Sequence, residues 1–167
     1  MNKTIIPLLA LLLALILALS GCSAAIKGNM ALTRHDYQES ILQYQEALKA
    51  NPGNVLSQSR LGQAYYRSGQ YAEAVKTLEA LLVTPTDDPE APIFLGLSYL
   101  AQGDRDKGFA SFERFRSFIW RERRNVLEQT ALFRQMPQLN LDEVEAKLFQ
   151  AIADGFREQD EISHQSD

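Results

Sequence analysis

The chain has 167 residues and an acidic balance, 21 Asp and Glu against 17 Lys and Arg, for a net charge of −4. That balance argues against nucleic acid as a general partner, and the single cysteine, Cys22, excludes an internal disulfide. The length suffices to bury one ordinary core.

Residues 5–19 form an apolar run interrupted by Pro7, just after Lys3. The run is short of the roughly 20 residues that a membrane span needs and suits the hydrophobic part of a secretory signal. It ends in Leu19-Ser20-Gly21-Cys22, which resembles the lipobox of bacterial lipoproteins. The resemblance implies removal of residues 1–21 as a signal peptide. It also implies lipid attachment at Cys22, through a thioether-linked diacylglycerol and an acylated amine. The thiol is the nucleophile that lipid transfer needs, and Ser20 and Gly21 are small enough for a peptidase cleft. One acyl chain holds a protein marginally to a membrane, two or more stably. An ordinary secretory signal and an uncleaved anchor are the competing readings. Ser23, not Asp, follows the cysteine. By the same resemblance this points to the periplasmic face of the outer membrane.

From residue 24 onward, apolar residues recur at helical spacing. The spacing predicts helices over 24–33 and 37–50, 55–68 and 71–83, and 90–102 and 105–119. Asn51-Pro52-Gly53-Asn54 stops the second of these. Asp88 suits a cap and Pro89 a helix start, while Pro92 fits only a first turn. Gly69 stands where a helix end favours left-handed φ, and His35-Asp36 makes the turn of the first hairpin. In the third hairpin Phe109, Phe112 and Phe115 are expected inward.

Leu61, Gly62, Tyr65 and Gly69 reappear 34 residues later as Leu95, Gly96, Tyr99 and Gly103. The same step backwards lands on Gly28 from Gly62 and on Tyr37 from Tyr71. Small residues recur where two helices must approach closely, at Gly28, Gly62 and Gly96 and again at Ser40, Ala74 and Gly108. Tyr44, Leu78 and Phe112 flank those contacts. A single hairpin cannot bury its apolar face, so neighbours must stack. This register resembles the tetratricopeptide repeat. The resemblance implies an all-α, right-handed solenoid of about three hairpins over residues 22–122. Lys27 and Ala31 replace the Leu61 and Tyr65 type in the first copy, so its first helix is expected to fray.

Residues 123–156 read as a C-terminal helix pair, 122–135 and 141–156, either a degenerate fourth hairpin or a cap on the open solenoid end. Asn140 and Glu143 suit a capping box, and Leu141, Val144, Leu148, Ile152 and Phe156 form an apolar stripe. Asp142, Glu143 and Glu145 read as a solvated face near a helix N-terminus, where the dipole favours acids. Residues 157–167 are polar and expected to be disordered.

The chemistry of catalysis is not evident. His35 and His164 lack paired ligands, zinc-type Cys/His spacing is absent, and no Gly-rich loop precedes a Lys-Ser/Thr pair. No cofactor or metal is expected. The repeat resemblance implies that first helices line a concave groove for a partner peptide or helix. Helical projection puts Leu56, Ser59, Gln63, Tyr66 and Arg67 on that side, then Ile93, Leu97 and Leu100. The last three could instead lie beneath helix 141–156. Tyr66 and Arg67 are the types that anchor interfaces. A second candidate surface is Arg114, Arg116, Arg121, Arg123 and Arg124 among aromatic residues, suited to lipid phosphates or an acidic partner. The resulting expectation is a lipid-anchored scaffold of the bacterial envelope. It resembles accessory lipoproteins of secretion, pilus or cell-wall machinery, whose partner is another envelope protein or peptide. An enzyme, or a lipid-head-group binder through the arginines, is the alternative.

Overall fold

A computed structural model describes residues 23–83, 86 and 88–165. The expected signal, residues 1–21, and the expected lipid site Cys22 lie outside the described residues. The described residues are all-α, with eight helices and no strand. They are α1 (23–33), α2 (Tyr37–Ala50), α3 (Val55–Arg67), α4 (Tyr71–Leu81), α5 (Glu90–Ala101), α6 (Arg105–Glu113), α7 (Trp120–Gln135) and α8 (Leu141–Gln165). None of the described helices is long and apolar enough to cross a membrane.

From α2 on, each helix packs on the next; α3 also meets α5, and α8 returns to α5. Contact between alternate helices is what stacked hairpins produce in a solenoid. The crossings within hairpins explain the small residues. A Cβ on Gly62 would lie under 3.0 Å from the Leu78 side chain, and one on Gly96 would meet Phe112 and, at 2.7 Å, the Gly108 carbonyl. At Gly28 the added atom would be 3.0 Å from the Tyr44 ring. The Ser40 hydroxyl donates to the Gly28 carbonyl at 3.1 Å. Helix α1 does not fray: Ala24 and Ala31 are buried, and the Tyr44 hydroxyl donates to Asn29 Oδ1 at 2.5 Å.

The turns keep the same register. Gly69 and Gly103 have φ of 77° and 83°, and His35 takes the matching place with φ of 61°. After each, a backbone N–H reaches back to a carbonyl of the finished helix: Asp36 to Ala31, Gln70 to Tyr65 and Asp104 to Tyr99, at 2.9–3.0 Å. This is the bond of a Schellman ending, and it needs the left-handed residue before it. The next helix is then capped. Asp36 accepts from the Glu39 N–H at 3.3 Å and Asp104 from the Lys107 N–H at 3.1 Å.

Two boundaries differ from expectation by more than a helical turn. Helix α6 ends at Glu113 and not at residue 119, and an irregular loop follows. Phe115 is nonetheless fully buried. The Arg114 guanidinium donates to the Leu82 carbonyl and holds the start of the loop against the end of α4. At the other boundary, α8 runs for 25 residues to Gln165. The disorder expected from residue 157 is therefore corrected for 157–165. Glu158 on the extension receives Arg124 at 2.6 Å and lies 3.7 Å from Arg121, both on α7. Residues 166–167 lie outside the described residues. Helices α7 and α8 nearly touch at Gly155, where a Cβ would be 2.6 Å from Glu122 Cα. Thr130 occupies the position one period beyond Gly96, so this crossing does not continue the repeat register.

Gln70 holds the position of Asp36 and Asp104, with similar backbone angles, but its side chain makes no cap bond. Gln70→Asp should therefore satisfy a free N–H of α4 and stabilise the fold by about 1 kcal/mol. A thermal melt should show Tm rising by roughly 2–4 °C; an unchanged Tm would mean that the cap gains nothing over water there.

Candidate functional site

Helix α5 has no polar face. Ala91 through Tyr99 are all buried. Helices α3, α4 and α6 cover part of it, and α8 covers the side that faces the expected groove. Val144 and Leu148 of α8 are buried in one cluster with Ile93, Phe94 and Leu97. The Phe94 ring stands 5.9 Å from Phe149 of α8 and 5.6 Å from Tyr66 of α3.

A buried acid locks this contact. Glu145 is 9% exposed. It accepts from both terminal nitrogens of Arg67, Nη1 at 2.9 Å, and from the Tyr66 hydroxyl at 3.4 Å. The Arg67 guanidinium also lies 5.5 Å from the Phe94 ring centre. Burial, and then the Glu145 charge, push the Tyr66 phenol well above its ordinary range, so it keeps its proton and donates. The fork of Arg67 matches the carboxylate geometry, which makes this pair directional as well as attractive.

The groove residues therefore divide. Tyr66, Ile93 and Leu97 were expected to line a groove, and they are buried inside the molecule. Arg67 faces Glu145 of the same chain. Leu100 turns toward α6, against Gly108. Ser59 is buried, Leu56 is 55% exposed, and Gln63 is half-buried. The expectation that Glu145 belongs to a solvated face is corrected too. Its position next to Val144 and four residues before Phe149 puts it beside the apolar stripe, and that spacing was the available signal.

One part of the concave side stays open. A cleft of about 570 Å³ is lined by Asn29, Leu32 and Thr33 of α1 and by Arg60, Gln63 and Arg67 of α3, with His35 and Tyr37 at the turn. Arg60 donates to Gln63 Oε1 at 2.8 Å and to Glu90 at 2.7 Å, tying the cleft wall to the next repeat. The cleft is polar, with two guanidinium groups and two amides.

Residues 31–92 match the family model described as the tetratricopeptide repeat. The match spans α2, α3 and α4 with their flanking turns, where the 34-residue register is clearest. A 61-residue stretch is also 33% identical to Superkiller protein 3 of Schizosaccharomyces pombe. That stretch is 36% of this chain and 4% of the yeast protein, so the chain spans a small fraction of that relative's length. The likeness is one of repeat architecture, and a tetratricopeptide solenoid is a scaffold that contacts other proteins.

The arginines expected to form one basic surface do not act together. Arg114 is bonded to the Leu82 carbonyl. Arg121 and Arg124 stack on the Trp120 ring, at 4.5 and 5.0 Å, and reach Glu158. The bonded Arg124 guanidinium holds the Glu158 carboxyl below the usual range. Arg116 and Arg123 remain, their guanidinium groups without a hydrogen bond or ion pair among the described residues.

Because Tyr66 is packed on both Phe94 and Tyr71, Tyr66→Ala should lower stability by about 3 kcal/mol. Leu56→Ala, at an exposed position, should stay within about 0.5 kcal/mol of the parent. Chemical denaturation of both variants checks this; equal stabilities would put Tyr66 outside the core.

Proposed function

We propose that this chain is a lipid-anchored protein-binding scaffold of the bacterial envelope, held at the periplasmic face of the outer membrane through Cys22. The observation that carries the binding part is the open polar cleft between α1 and α3, on the concave side of the repeats. Helix α8 already occupies the apolar part of that side. The part left open presents the amides of Asn29 and Gln63, which suit the backbone amides of a partner segment, between Arg60 and Arg67, which Glu90 and Glu145 hold as its walls. The client is another envelope protein or peptide, taken up in secretion, pilus or cell-wall assembly. The lipobox-like Leu19-Ser20-Gly21-Cys22 supports the anchor, and two or more acyl chains there would hold the chain stably.

Two measurements test the two halves separately. Cys22→Ser should move the protein from the membrane to the soluble fraction of lysed cells; a variant that still pellets with membranes after signal removal places the anchor elsewhere. A photo-crosslinking residue at Gln63 should capture a discrete envelope protein in intact cells, and one at the exposed Leu132 of α7 should not. Equal capture from both positions would remove the cleft from the binding surface.

A further inference from the structure

A second cleft, of about 710 Å³, lies between the α4–α5 and α6–α7 connections and shares no lining residue with the first. Phe115, fully buried, is part of its wall, and Val83 and Phe118 line it while being 81% and 95% exposed. Its charges are unevenly matched. Among the described lining residues the acids are engaged: Glu113 pairs with Arg134 at 2.6 Å, and Asp88 Oδ1 accepts the N–H groups of Glu90 and Ala91 at 2.9 and 2.8 Å. Arg114 is spent on the Leu82 carbonyl. Arg116 and Arg123 line the same cleft and are exposed, and their guanidinium groups make no hydrogen bond or ion pair among the described residues.

We propose that this cleft binds a segment of a partner protein in which a carboxylate stands beside a large apolar side chain. The guanidinium forks of Arg116 and Arg123 take the carboxylate. Val83 and Phe118 close on the apolar side chain. Exposed aromatic and arginine side chains around a concavity are the composition of an interface core. A lipid bilayer is the poorer occupant, because a flat surface touches the rim and leaves the concavity unfilled. A nucleic acid is poorer still, since the whole chain carries −4 and repels a long polyanion. A short segment with one or two carboxylates meets only the local field of the two arginines, within a Debye length.

The test pans random peptides displayed on phage against the full chain in detergent. The chain carrying Arg116→Glu with Arg123→Glu serves as the counter-target, and Phe118→Ser as a second one. Expected is enrichment of sequences with Asp or Glu next to Leu, Ile, Phe or Trp. A synthetic peptide of the enriched sequence should lose about tenfold or more in affinity on charge reversal. It should also weaken with Phe118→Ser and with added salt. Melts should be unchanged, because all three side chains are exposed. Four results would overturn the proposal: no enrichment, enriched peptides without acids, equal binding by the charge-reversed chain, or charge-dependent capture by phosphatidylglycerol vesicles in place of peptides. The last would make this a membrane-facing surface. None of the four bears on the cleft between α1 and α3.

Discussion

A helix that is apolar on every side must be covered on every side. Helix α5 is such a helix, with Ala91 to Tyr99 buried without a break. The repeat architecture supplies α3 and α4 before it and α6 after it, which leaves the concave side bare. Helix α8 supplies that last cover through Val144, Leu148 and Phe149. Each large side chain removed from water contributes roughly 1.5–3 kcal/mol, against a net stability of about 5–15 kcal/mol for a domain. Covering α5 is therefore a condition of folding. Its consequence bears on the groove: the apolar stretch of the concave side is here filled by α8 of the same chain.

Apolar contact alone would let α8 slide. The Glu145 carboxylate, reached by Arg67 and Tyr66 from α3, gives the docking a register. Buried ion pairs contribute little to net stability because both charges lose water, but an unpaired partner is costly. The pair thus penalises other placements of α8 more than it strengthens the right one. The same interaction draws a boundary across the concave side. Beyond Arg67, toward α1, the groove turns polar and open.

The two ends of the solenoid differ in chemistry for local reasons. At the first hairpin, the left-handed position that glycine fills at 69 and 103 is filled by His35, a side-chain-bearing residue in a conformation that usually favours glycine. It stays because the turn needs the same backward N–H bond in every copy. At the third hairpin, α6 stops early. The chain from Arg114 to Ile119 spans the gap to α7 as a loop that buries Phe115 and leaves Phe118 outside. Continuing α6 would have set Phe118 in the helix and removed the cleft beside it.

The repeat was legible because it is written in residue types that backbone geometry dictates. Gly62 and Gly96 sit where a Cβ would collide with Leu78 and Phe112, and Gly69 and Gly103 where φ is positive. Both demands are local to one hairpin, so a single period in the sequence exposes them. The inward Phe109, Phe112 and Phe115 and the caps at Asp88 and Asn140 were legible for the same reason. Which face of α5 would meet water was not. Its sequence is apolar all round, so periodicity assigns no groove side, and Tyr66, Arg67 and Glu145 find one another across more than half of the folded repeat region. Whether a tyrosine and an arginine on α3 wait for a partner or hold a helix of their own chain depends on contacts between residues 78 and 79 positions apart. The sequence alone settled the helical hairpins and their stacking; only the return of α8 to α5 decided how much of the groove is left to bind.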